Sequence, residues 1–207
     1  HFLRNNYGLS EGTMVPGGQS VEVSRKPNTR PSWSDTTACG AHCILTGHRL
    51  FPSTSRCELV ERGLLWFVQG SMEEALLGSE TPAMMSSDGL PLEAMDIARW
   101  AGLRRTKLDK ASFIKHWRQY LTSVAHVVEE EGGGPRARDL AHQGHLFARK
   151  VIRWFEDFDF LLSANEDQGG ALVLVLHDEH TPLKPILLFL ADGVCAMPDG
   201  PCANRTR

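Results

Sequence analysis

Apolar positions recur most regularly in the second half of the chain. From Asp109 onward, Phe113, Ile114, Trp117, Tyr120, Leu121, Val124 and Val127 fall at three- and four-residue steps, the spacing that gathers side chains on one face of an α-helix. The run Glu129-Glu130-Glu131 and then Gly132-Gly133-Gly134-Pro135 interrupt this pattern and predict a solvated loop. Asp139 stands where an N-cap belongs, and Leu140, Phe147, Val151, Trp154, Phe155, Phe158, Leu161 and Leu162 keep helical spacing. One long helix over 139–162 is expected, stopped by residues 165–170. Ala171 to Leu176 is an unbroken apolar run of strand length and predicts a buried strand. Ile186 to Leu190, entered through Pro185, predicts its antiparallel return.

The first half is less regular. Ser55-Arg56-Cys57-Glu58 has the spacing of a capping box, and Cys57, Val60, Leu64, Phe67 and Val68 follow at helical steps. This predicts a central, almost wholly buried helix ending at Gly70 or Gly78. Pro91 ahead of Leu92, Met95, Ile97, Ala98 and Trp100 predicts a short helix near 91–101, and residues 39–51 a single short strand. Residues 1–37 are rich in Gly, Pro, Ser and Asn and read as a disordered arm, while 192–207 lack any period and read as an irregular tail. The expected organisation is an arm over 1–37, one α+β domain over 38–191, and a tail.

Composition narrows the function classes. With 42% apolar and 23% charged residues a packed core is expected, and a net charge of −3 gives no overall electrostatic footprint for nucleic acid. No apolar run approaches the roughly 18–20 residues of a membrane span, so no membrane association is expected. The chain opens His1-Phe2-Leu3-Arg4, and Met14 is read as its start. Five cysteines, an odd number at low density, suit reduced intracellular thiols, which also discounts the sequon Asn204-Arg205-Thr206.

The residues that could carry chemistry are few. Cys39, His42 and Cys43, with His48 and Cys57 nearby, offer thiolate and imidazole ligands for zinc, or a cysteine nucleophile with a histidine base. The second close pair of a structural zinc site is missing, and ordinary packed cysteines remain the alternative. His177-Asp178-Glu179-His180 falls in a hairpin loop, where polar residues face water. His142 and His145 lie three apart and could share a metal with Asp139. No phosphate loop, dinucleotide fingerprint, nucleophile elbow or zinc-protease helix is present.

The order of elements, from Cys57-Glu58-Leu59 through later helices to Trp154-Phe155-Glu156-Asp157-Phe158 and the Val173-Leu174-Val175-Leu176 hairpin, resembles the comet family of HORMA-like proteins over residues 43–190. The resemblance implies a HORMA-like fold, with helices on one face of a mainly antiparallel sheet and its C-terminal part missing. It implies a non-enzymatic adaptor without cofactor. Its partners would be the closed form of the spindle-checkpoint protein Mad-two and an AAA+ remodelling ATPase, in nucleus and cytoplasm and on the mitotic spindle. It would place the partner surface near Trp66 and Gln69 and on the outer side of the long helix, which periodicity assigns to Arg149, Lys150, Arg153, Glu156, Asp157 and Phe160. An ordinary solvated helix face is the competing reading of those residues. The family's polar, proline-containing stretch after its first helix is absent here, and Gly70-Ser71-Met72-Glu73-Glu74 stands in its place. The alternative function is an intracellular cysteine- or zinc-dependent enzyme built on Cys39 to Cys43; a structural fragment with no partner of its own is a third.

Overall fold

A computed structural model describes residues 38–72, 95–163, 170–177, 181 and 183–198. The two apolar runs are strands: β7, Leu172–Leu176, and β8, Ile186–Leu190, pair antiparallel with Leu174 opposite Leu188. Both strands are buried along their whole length, as an uninterrupted apolar run requires, because successive side chains point to opposite faces and neither face then tolerates water. They form the centre of a six-stranded antiparallel sheet in the order β3-β4-β8-β7-β6-β5. Its other members are β3 (Cys57–Val60), β4 (Leu65–Gln69), β5 (Arg104–Thr106) and β6 (Phe158–Leu162).

Each face of this sheet has its own cover. Register puts Phe160, Leu174 and Leu188 on one face, where the Phe160 ring lies 5.5 Å from that of Phe113 on the helix α2, Lys110–Glu130. Phe189 is on the other face, its ring 4.9 Å from Phe51 of β2, Arg49–Pro52. β2 belongs to a second sheet, β2-β1-β9, with β1 Ala38–Cys43 and β9 Val194–Pro198. A short helix α1, Asp96–Ala101, ends at Gly102 in the left-handed conformation, φ 65°, and precedes β5.

On the helical side, α2 is capped by Asp109, whose carboxylate accepts from the Ser112 amide at 2.6 Å. It packs as a hairpin against α3, Gly134–Arg153. Trp117 donates through Nε1 to the carbonyl of Gly144 at 2.9 Å. A Cβ on Gly144 would sit 2.6 Å from a methyl of Leu121, so this glycine sets how closely the two helices approach.

Several expectations change. The helix predicted from Ser55 is instead the hairpin β3–β4. Its almost all-round apolar pattern fits either period, and pairing of Leu65 to Gln69 with β8 decides for the strand. Cys57 is accordingly half-buried. The 139–162 helix is two elements. α3 opens at Gly134 with Pro135 in its first turn, five residues before Asp139, and after Arg153 a turn through Phe155–Asp157 leads into β6, whose ladder with β7 overrides the helical spacing of Phe158, Leu161 and Leu162. Asp139 lies inside α3 and caps nothing there. The single strand over 39–51 is the hairpin β1–β2, and the supposed tail supplies β9, which pairs along β1 with Cys195 opposite His42. The arm 1–37, Gly78, the start of the 91–101 helix, Asn165 to Gln168, Asp178 to His180 and the residues after Pro198 lie outside the described residues.

Candidate docking face

α3 buries Ala137, Leu140, Gly144, Phe147, Ala148 and Val151, which recur at three- and four-residue steps and turn one side of the helix to the core. At about 100° per residue the opposite side carries Arg138, His142, His145, Arg149 and Arg153 within an arc of about 80°. All five are exposed. Their spacing of four, three, four and four residues makes a stripe about 22 Å long at 1.5 Å per residue. Leu146 stands at its edge, 44% exposed, and the guanidinium of Arg153 lies 5.6 Å from the ring centre of the half-buried Trp154.

The flank of α3 between core and stripe is tied to the turn of β3–β4. Arg136 donates to both carboxylate oxygens of Asp192, with Nη2 at 2.6 Å and Nε at 3.1 Å, and through Nη2 to the carbonyl of Gly63 at 2.8 Å. Burial acts to lower the Arg136 pKa, but the hydrogen bonds and charge of Asp192, then those of Asp139, outweigh it and raise it. Lys150 Nζ lies 2.9 Å from Glu61 Oε2. That turn holds Glu61 and Arg62 at φ 50° and 57°, a left-handed conformation that costs a non-glycine residue roughly 1–2 kcal/mol. Two cations of α3 therefore grip a turn under backbone strain, which fixes the rotation of α3 about its axis and keeps the stripe outward. Asp139, the one carboxylate of α3, is drawn to the same flank by Arg136 at 3.2 Å and Gln143 at 2.8 Å.

The residues expected at a partner surface separate. Arg149, Arg153 and Glu156 are exposed and Asp157 is half-buried. Phe160, expected outside, is 4% exposed; it faces Phe113 and Phe155 because it belongs to β6 and not to a helix. Trp66 is half-buried and shares with Phe189 the face of the sheet turned away from the helices, and Gln69 sits at the end of β4 remote from the gripped turn. Neither joins the stripe. Lys150, expected outside, is half-buried in its pair with Glu61.

The cysteine region does not assemble. His42 and Cys43 are consecutive on β1, so their side chains point to opposite faces. Cys43 is wholly buried and hydrogen-bonds with Tyr120, whose pKa burial pushes well up. His42 is buried too, and burial, with Arg49 nearby, lowers its pKa against a backbone hydrogen bond at Gly40. His48 lies on the turn beyond, and the side chain of Cys39 is not described. Among the described residues no three His, Cys, Asp or Glu side chains gather as metal ligands, so His142 and His145 gain no third ligand from Asp139 either.

A second polar cluster was not anticipated. Arg105 Nη2 lies 2.6 Å from Asp159 Oδ1, and His177 Nε2 lies 3.4 Å from Asp159 Oδ2. Burial acts to raise the Asp159 pKa, but the nearby His177 and the hydrogen bond and charge of Arg105 outweigh it and hold the carboxyl below its usual value. Among the described residues no helix is long and apolar enough to cross a membrane.

An antiparallel sheet with a helical hairpin on one face and a three-stranded sheet on the other defines a known fold. The chain superposes on the translationally controlled tumour-associated protein of Schizosaccharomyces pombe with a TM-score of 0.56 at 16% identity, covering 75% of this chain and 96% of that one. For the translationally controlled tumour protein of Caenorhabditis elegans the values are 0.58, 13%, 78% and 98%. The family model of the translationally controlled tumour protein matches residues 42–195. The chain belongs to that family. It is similar to the family's homologues from Mycosarcoma maydis, 26% identical over 102 residues, and Yarrowia lipolytica, 27% over 93 residues. Those matches take in 49% and 44% of this chain and 60% and 54% of the relatives, so the chain spans little more than half the length of the relatives it matches.

Family membership corrects the comet resemblance and the fold, checkpoint function and partners drawn from it. The HORMA-like fold, checkpoint silencing, the closed Mad-two partner and the AAA+ ATPase fall with it. The physical reason is visible: Cys57-Glu58-Leu59, taken as a helix start, is a sheet-edge strand, and Phe158 lies in β6. The cysteine- or zinc-dependent enzyme loses its support as well.

Proposed function

We propose that this chain is a non-enzymatic binding protein that docks a partner on the outer face of α3. The observation that carries this reading is the stripe Arg138, His142, His145, Arg149 and Arg153, held outward by the grip of Arg136 and Lys150 on the β3–β4 turn. Preorganised side chains on a rigid element suit recognition, because little freedom is lost when a partner arrives. Of the surface expected from sequence, Arg149 and Arg153 stay in this reading, while the exposed Glu156 lies beyond the end of α3.

Photo-crosslinking from position 149 in cells tests it, with position 58 on the sheet edge as control. The reading predicts a discrete crosslinked species from 149 that disappears with Arg138→Glu and Arg153→Glu, and none of that mass from 58. Equal crosslinking from both positions, or indifference to the substitutions, would refute it.

A further inference from the structure

Resting on that reading, we infer that the α3 stripe takes a carboxylate-rich polypeptide segment. α3 carries five cations against the single carboxylate Asp139, in a chain whose net charge is −3. Two of those cations pair with Glu61 and Asp192, and Asp139 is held on the gripped flank by hydrogen bonds from Arg136 and Gln143. What faces outward is therefore three guanidinium groups and two imidazoles with no carboxylate among them. Guanidinium groups match carboxylates with two parallel hydrogen bonds, which makes the match geometric as well as electrostatic.

The ends of the stripe select the kind of polyanion. The exposed Glu129, Glu130 and Glu131 lie before the start of α3, and exposed Glu156 with half-buried Asp157 follows its end. Positive potential is thus confined to about 22 Å, a length set by the helical rise. A nucleic-acid backbone or a membrane surface extends beyond that span and would meet these carboxylates. An acidic helix of about four turns, or about seven extended residues, fits inside it. Steps of about 6 Å along the stripe equal the one-turn repeat of carboxylates spaced four apart on a partner helix. Leu146, exposed beside Arg149, adds an apolar contact that a polypeptide side chain can meet.

The test is fluorescence anisotropy with the full chain and a labelled 15-residue Glu-rich peptide bearing one central Phe. A 15-nucleotide single-stranded RNA and phosphatidylserine vesicles serve as competing polyanions. Arg138→Ala/Arg149→Ala/Arg153→Ala is compared with Arg56→Ala/Arg104→Ala/Lys107→Ala, which removes the same charge from exposed positions elsewhere. The inference predicts peptide binding that the stripe variant weakens about tenfold and the control variant less than about twofold, with binding weakened by salt. Equal losses in the two variants, tighter binding of RNA or vesicles than of peptide, or no peptide binding would overturn it. A positive crosslink from position 149 combined with no peptide binding would leave the docking function standing and remove the acidic partner.

Discussion

Replacing Arg136 by Ala tests the element that aims α3. The side chain is 23% exposed and its partner Asp192 10% exposed, so solvent screens the pair only in part. The substitution removes a forked contact to Asp192 and the donor to Gly63, beside two left-handed residues. Removing one partner of a fully buried pair costs about 3–5 kcal/mol. Partial exposure, and the further interaction that Asp192 makes, bring the expectation to about 2–3 kcal/mol. Arg136→Lys keeps the charge but not the fork and should cost roughly half as much. In urea, at an m-value of about 1–3 kcal/mol/M, Arg136→Ala should lower the unfolding midpoint by roughly 1–2 M with little change in slope. A double-mutant cycle with Asp192→Asn should return a coupling of about 1–2 kcal/mol. A loss below about 0.5 kcal/mol, or additivity in the cycle, would show that the grip does not hold the hairpin to the sheet.

Three further outcomes separate core from surface. Phe160→Ala should destabilise by about 3–5 kcal/mol, while Arg149→Ala should stay within about 0.5 kcal/mol; thermal melts of the two variants check this. Because the Asp159 pKa is depressed on folding, its contribution is present above the unfolded value of about 3.9 and is lost as pH falls through the lower folded value. Asp159→Asn should therefore be less stable than the parent at neutral pH, with the difference shrinking below about pH 4 in denaturation series at stepped pH. Gly193→Ala would place a Cβ against the Tyr120 hydroxyl and should cost about 1–3 kcal/mol by overpacking, read from chemical denaturation.

The sequence disclosed what is local and periodic. The buried face of α2 and the β7–β8 hairpin follow from spacing alone, because those patterns fit one period well. Leu64 to Val68 and Phe158 to Leu162 fit both, and only pairing with distant strands decides them. β9 was illegible because Val194 to Pro198 has little pattern of its own and becomes a strand by lying along β1. For the docking face, Arg149 and Arg153 could be read from periodicity, and Arg138, His142 and His145 lie on the same arc without an intervening acid. Taking Asp139 as a cap and the histidines as metal candidates hid that continuity. The grip of Arg136 on Asp192 and Gly63 spans 56 and 73 residues, and nothing local marks it.

The most direct test of the central claim is to map the surface that responds when the acidic peptide is titrated into the isotopically labelled full chain, by amide chemical-shift perturbation. The docking-face account predicts shifts concentrated at Arg138, His142, His145, Leu146, Arg149 and Arg153, with Lys115 and Arg118 of α2 and the β3 edge unmoved. Shifts centred on α2 or on the edge strand Cys57–Val60, with the stripe unchanged, would contradict it.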